Sequence, residues 1–371
     1  MKTLTEALDF WIFRSYAPVC KGLPLFRIFF ACFLIVFYLP INTGVSTLPH
    51  SFFAPPLSLA AFFPGFPPFW FFRGIDYFLE LGAFCLLFGC QTRYASLLMA
   101  ALIIINNSFA YSTGKINGDI LVPATLFCLA WSDWGRRYSA DTRRLPFVPR
   151  SDFPAWPVAL LMLTIGLCMV TACISKAQSG WLNPHLECCR GQLLLNYIGL
   201  DRPKKLADVM LTITSPLFWK FLDVSTVLLE GSFIVAMFWL PAMRFATASA
   251  CVFHAFIYFS MDIFFIYNPA AYACLVDFRF LLKAYRVRRW FRQFIRLAER
   301  IHLWHLVVFV AALDAVYLAA GSPDWKNGVM LNSVVAFILL ILGAWALFFL
   351  SWQRINRHLG NLAPMRRSLS S

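Results

Sequence analysis

The stretch "PAWPVALLMLTIGLCMVTACIS", residues 154–175, runs for 22 residues without a charge, and the residue after it is Lys176. An α-helix rising 1.5 Å per residue needs about 20 apolar residues to cross the ~30 Å hydrocarbon core of a bilayer. A stretch of this kind decides the class of the protein, because backbone enters that core only as helix or closed barrel. Trp181 follows five residues after the lysine. Two readings of Lys176 compete. In one, a long cation reaches for the headgroups. In the other, an amine in a half-dry site acts as a base.

The rest of the chain repeats the first signal. Of its 371 residues 60% are hydrophobic, 18% aromatic and only 13% charged. Short alternating strands of the barrel type are not visible. The expectation is an all-α, polytopic transmembrane bundle of about ten spans, near 24–40, 70–88, 94–111, 117–133, 155–175, 218–240, 244–263, 267–282, 303–320 and 328–350. The eighth is short and contains Asp277 and Arg279. Around these spans the chain divides into an interfacial segment 1–23, the bundle 24–282, a basic amphipathic helix 283–302, a transmembrane hairpin 303–350 and a basic tail 351–371. "MKTLTEALDFWIFRSY" carries acids and no small-residue cleavage site, so no cleavable signal peptide is expected.

The net charge of +14 is a topology signal and not a nucleic-acid footprint. Threading ten spans from a cytoplasmic N-terminus places the loops at Arg93, 134–154, Arg244 and 283–302 inside, together with the tail. The loops 41–69, 112–116, 177–217 and 321–327 fall outside, and the dense arginine clusters share one side. The location expected is the cytoplasmic (inner) membrane of a bacterial cell. The segment "KAYRVRRWFRQFIRLAER" (283–300) alternates cations with aromatic residues and reads as an in-plane helix on anionic lipid. The outer loop "SFFAPPLSLAAFFPGFPPFWFF" (51–72) is too apolar to be freely solvated and is expected to fold back on the bundle.

Ionisable groups at membrane depth need a partner or a task. Asp76 and Glu80 share one helix face, as do Asp223 and Glu230. Arg27, Arg73 and Arg244 lie at depths from which they can pair with these acids, so the plain reading is interhelical ion pairs and the alternative is a polar cavity. His254 stands mid-span, where a core hydrogen-bonder is the commoner role. His302 and His305 have metal-ligand spacing but no third ligand in sight, and no metal is expected. The eleven cysteines show no CxxC, and the vicinal pair Cys188-Cys189 alone stands out.

Six pieces in register then resemble a family: "LGAFCLLFGCQTRYAS" (81–96), "KINGDILVP" (115–123), "SDWGRRYSAD" (132–141), "SKAQSGW" (175–181), "FLDVS" (221–225) and "FHAFIYF" (253–259). Over 73–278 the chain resembles the HTTM (horizontally transferred transmembrane) domain, the membrane part of vitamin K-dependent gamma-glutamyl carboxylases. The resemblance implies a reduced quinone as cofactor and Lys176, five residues before Trp181, as the general base that deprotonates it. It also carries Asp223 and His254 into the pocket, with Asp119 in "NGD" standing where those carboxylases have an Asn-His pair. Where those carboxylases continue into a lumenal β-rich region that engages protein substrate, two more spans and an arginine tail are expected here. The function expected is therefore a quinol-dependent, carboxylase-like enzyme. The alternative is a non-enzymatic membrane partner in maturation or export of a small secreted peptide, with that peptide or a thioredoxin-like protein as its contact. A transporter is disfavoured, since no inverted repeat and no paired broken helices are visible.

Overall fold

The computed structural model describes residues 3–39, 42–113, 119–143, 153–283, 285–320, 334–335, 337–338 and 340–345. The tail 351–371, the outer loop 321–327, Asn117, Gly118, Arg144 and Arg150 lie outside the described residues, as does much of 328–350. Among the described residues the chain is helical, with no strand. The main helices are α1 (Leu4–Phe13), α2 (Leu23–Phe33), α3 (Phe69–Phe88), α4 (Thr92–Ala110), α5 (Leu121–Leu129), α6 (Trp156–Gln178), α7 (Cys188–Leu194), α8 (Lys205–Leu211), α9 (Pro216–Gly231), α10 (Leu240–Met261), α11 (Tyr285–Arg300) and α12 (Leu303–Ala320).

Among the described residues four helical stretches are long and apolar enough to cross a membrane: Leu23–Thr47, Thr92–Thr113, Trp156–Gln178 and Leu240–Met261. They match four of the expected spans. Helix α3 has the length, at 20 residues, but carries Arg73, Asp76 and Glu80. The stretches expected over 117–133 and 267–282 differ more. The first holds the nine-residue α5, and the second a six-residue helix, Tyr267–Tyr272, followed by 3-10 turns. Nine residues of helix rise only ~14 Å. The reason lies in burial: Leu121, Val122, Leu126 and Leu129 in the one, and Ala271, Cys274 and Leu275 in the other, are core residues. Backbone covered by protein is free of the rule that lipid-facing backbone must be helical.

The chain packs as two compact units, Met1–Thr164 with Ala270–Asn327, and Ile165–Pro269 with Gly328–Ser371. The division falls inside α6.

In the first unit α1 begins with a capping box: Glu6 N–H donates to Thr3 Oγ1 at 3.3 Å and Thr3 N–H to Glu6 Oε2 at 3.0 Å. Helices α3 and α4 form an antiparallel hairpin across Gly89, whose φ of +70° is left-handed. The Cys90 N–H reaches back to the Cys85 carbonyl at 2.8 Å and closes α3. The start of α4 is held by Asp141, whose carboxylate accepts from Gln91 N–H, Thr92 N–H and Thr92 Oγ1–H, each at 2.9 Å. The Pro/Phe loop does fold back: Ala54 N–H bonds the Ser112 carbonyl at 2.8 Å, and Phe63 meets Phe109 edge-on at 5.0 Å. Helix α11 docks through Phe291 on Tyr138 and Phe294 on Phe88, leaving Trp290, Tyr285 and most of its arginines exposed.

The second unit is built on α9, α10 and the C-terminal part of α6, capped by α7 and α8. Cys189, Leu193, Ala207, Met210, Trp219 and Met261 form its capping core.

The turn at Gly89 yields a test. A Cβ there would lie 2.1 Å from Ser139 Cβ and 2.2 Å from Arg27 Nη1, on a backbone that only glycine adopts without strain. Gly89→Ala is expected to lower stability by well over ~1 kcal/mol, read as a lower midpoint of thermal unfolding in detergent; an unchanged midpoint would refute this account of the turn.

Candidate functional site

Lys176 lies in the last turn of α6, and the tryptophan five residues on is placed by how that helix ends. Gly180 takes a left-handed φ of +90°, and the Trp181 N–H donates to the Lys176 carbonyl at 3.2 Å. This is the six-to-one bond of a Schellman motif, with glycine at C′ and Lys176 at C3. The turn swings the indole back, so the ammonium lies 5.5 Å from the Trp181 ring centroid. The Lys-to-Trp spacing is therefore a helix-ending geometry.

Across from it, on the last full turn of α9, Glu230 meets the lysine. Lys176 Nζ donates to Glu230 Oε1 at 2.6 Å and Oε2 at 2.9 Å; the lysine side chain is 25% exposed and the glutamate 6%. The expectation that Glu230 pairs with an arginine is thus corrected: Lys176 itself is the partner. No sequence period links positions 54 residues apart, so the pair was invisible in the pattern.

Two turns back along α9, Asp223 is fully buried. It accepts the Cys189 N–H at 2.7 Å, the Cys188 N–H at 3.2 Å and Lys220 Nζ at 2.8 Å. Lys220 also donates to the Trp181 carbonyl at 3.2 Å. Asp223 thereby caps α7 and, through Lys220, fixes the turn that carries Trp181. Lys220 was missed in the sequence, although its position three residues before Asp223 on one helix face is the signal that finds it. Its buried carboxylate is fully engaged, so Asp223 is a positioning residue. The ring of His254, on α10, is buried beside Phe265 at 5.0 Å and within electrostatic reach of Lys176. Lys176, Trp181, Asp223, Glu230 and His254 thus belong to the second unit, and two cations there balance two carboxylates.

The other sequence-predicted residues are placed elsewhere. Asp119 belongs to the first unit, where its carboxylate accepts from Tyr38 and Asn107 at 3.1 Å and closely from Tyr111. Asp76 is held by Asn42, through its N–H at 3.0 Å and its side-chain amide at 2.5 Å, and Glu80 follows one turn later. Arg27 departs from the expected pairing with an intramembrane acid: it donates to the carbonyls of Leu86 at 2.7 Å and Tyr138 at 2.6 Å. Carbonyls at a helix C-terminus attract a cation much as a carboxylate does. Arg73 pairs with Asp314 of α12, an acid that the sequence reading passed over. Arg244 lies half-buried in the second turn of α10. Among the described residues no group of three or more metal-ligating side chains forms, and His305 Nδ1 accepts the His302 N–H at 3.1 Å.

The arrangement has definite chemistry. A proton shifted from Lys176 to Glu230 would convert two charges in a poorly solvated site into two neutral groups and leave a free amine lone pair. Removing one partner strands the other. Glu230→Gln is expected to destabilise by about 2 kcal/mol, less than a fully buried pair because Lys176 is partly solvated, whereas the joint change Lys176→Met with Glu230→Leu costs less than that. Thermal unfolding of the two variants tests this; a double variant as unstable as Glu230→Gln, or more so, would contradict it.

The neighbouring thiols are poor nucleophiles. Burial and then the Asp223 carboxylate push Cys189 up to about 12, and the same two causes raise Cys188 above the usual thiol range. A raised thiol holds its proton to higher pH, so maleimide labelling of Cys188 should be slow at neutral pH and keep rising past the ordinary thiol range before it levels off. A rate already at plateau near neutrality, read by peptide mass mapping, would contradict this.

No protein-family model matches the chain, and neither a curated protein nor a solved structure is significantly similar to it.

Proposed function

We propose that the chain is a membrane enzyme of the HTTM, vitamin K carboxylase-like kind, with Lys176 as general base toward an apolar quinol. The observation that carries the reading is the Lys176–Glu230 pair: a solvent-grazed ammonium bound through both oxygens of a buried carboxylate at the end of a membrane-length helix. The residues fit such a group. Ile174 and Leu228, near the pair in sequence on α6 and α9, are exposed apolar side chains, as a partner arriving through lipid requires. A reduced quinone, when bound, supplies an acidic hydroxyl. Glu230 takes the lysine proton, Lys176 Nζ becomes the acceptor, Trp181 screens it from water, and Asp223 with Lys220 holds the Trp181 turn.

The proposed topology keeps ten crossings with both termini cytoplasmic, 117–133 and 267–282 being short crossings covered by protein, in the cytoplasmic membrane of a bacterium. Helix α11 rests on anionic lipid, with Trp290 and its arginines outward. A second reading, a partner in maturation or export of a small secreted peptide, with a thioredoxin-like protein as contact, draws support from the folded state of both outer segments, described over 42–69 and 177–217, which offer shaped surfaces.

Lys176→Arg separates them. Arginine keeps the charge and a two-pronged pairing with Glu230 but does not give up its proton at neutral pH. In lipid nanodiscs the wild type is expected to consume reduced quinols, and the variant to lose about 10²–10⁴-fold. Equal rates in both proteins, or none in either, would leave Lys176 an anchor and favour the peptide partner.

A further inference from the structure

Residues 177–217 read in sequence as an outer loop, yet much of the segment is helix, and the outward face over residues 191–198 is apolar. Helix α7 runs without a break into a π-helical turn, Leu195–Gly199. Along this combined helix Cys189, Leu193 and Asn196 are buried. Gly191, Leu194, Leu195 and Ile198 are exposed, at the spacing of a single helix face. Ile198 is 72% exposed, and Leu182 and Leu186, just ahead of the helix, are exposed as well. A solvated cap would place charges there.

Depth says what covers that face. The segment leaves the end of one membrane-length helix, α6, at Gln178 and enters α9 at Pro216. Its first turn is then pulled inward, because the Cys188 and Cys189 amides bond to Asp223, seven residues into α9. Seven residues of helix are about 10 Å. The start of α7 therefore lies alongside α9 and not above it. Helix α9 itself shows an apolar exterior at the same level and beyond: Leu217 is 82%, Phe221 68% and Leu228 67% exposed. The exposed face of α7 continues that lipid-type surface. The polar residues Asp201, Arg202, Lys204 and Lys205 follow at its far end, where Lys204 pairs with Asp262 at 2.7 Å and holds the cap down.

We propose that residues 188–199 form a membrane-interfacial helix lying in the plane of the leaflet on the Lys176 side, with Leu194, Leu195 and Ile198 among phospholipid acyl chains. This deepens the proposed function and rests on its membrane reading alone. In-plane helices of this kind bury one apolar face at the headgroup–acyl boundary.

The test is photochemical insertion from a genetically encoded diazirine amino acid at position 195 or 198, in the full chain in phosphatidylcholine nanodiscs. Position 221 is the lipid reference and position 205 the water reference. Mass spectrometry then counts phospholipid against water adducts. Positions 195 and 198 should follow 221, with lipid favoured about tenfold or more, while 205 takes up water. Water adducts at both 195 and 198 beside lipid adducts at 221 would overturn the proposal and leave the face to a secreted peptide. The readout needs no turnover, so it stands or falls apart from the quinol assay.

Discussion

A charge held away from water costs several kcal/mol unless a partner meets it, and most of this protein's polar architecture answers that constraint. The answers are not the arginine–carboxylate pairs that spacing along the chain suggests. Carboxylates go to donors on loops and helix starts: Asp141 to the opening amides of α4, Asp223 to those of α7, Asp76 to Asn42, and Asp119 to two tyrosines and an asparagine. Arg27 goes to carbonyl oxygens instead. Each buried charge thereby fastens a connecting segment to a helix, so neutralising the charge and fixing the loop are one event.

The Arg73–Asp314 and Lys176–Glu230 pairs are the exceptions among the described residues, since each joins two helices directly. Several effects converge on the lysine. A cation near a helix C-terminus is favoured by the exposed carbonyls there, the left-handed glycine two residues beyond that end returns the indole to it, and Glu230 meets it from α9. The geometry serves anchoring and proton transfer equally well. The partners are unequally buried: the glutamate is almost sealed while the amine retains an outward edge, as at Lys220 and Asp223 and as a lysine reaching for the interface does.

How much of this was legible in the chain follows from the range of the forces involved. Residues 154–178 announce a spanning helix because burial in lipid is a property of a continuous run. The back-folding of the Pro/Phe loop was legible for the same reason, since a chargeless aromatic segment has nowhere to be solvated. The brevity of α5 was not legible: an apolar run reads alike whether lipid or protein covers it. Nor was the cap, where "CCRGQLLLNYIG" looks like loop until one sees that its two faces are both apolar and only one is packed. The residues of the candidate site were mostly named in advance, but their relations were not. Glu230 stood in the right helix with the wrong partner, and Asp223 turned out to brace the site.

The first unit is discontinuous, since residues 270–327 complete what residues 1–164 begin. Arg73 therefore emerges from the ribosome long before Asp314, its partner in the finished fold. With about 240 residues between them and synthesis at ~5–20 residues per second, the delay is on the order of tens of seconds. Throughout that interval Arg73 stands on α3 with Asp76 one turn away and its α12 partner still to come. The bond between α3 and α12 therefore closes late in synthesis, and a chain that stops short of Asp314 never makes it.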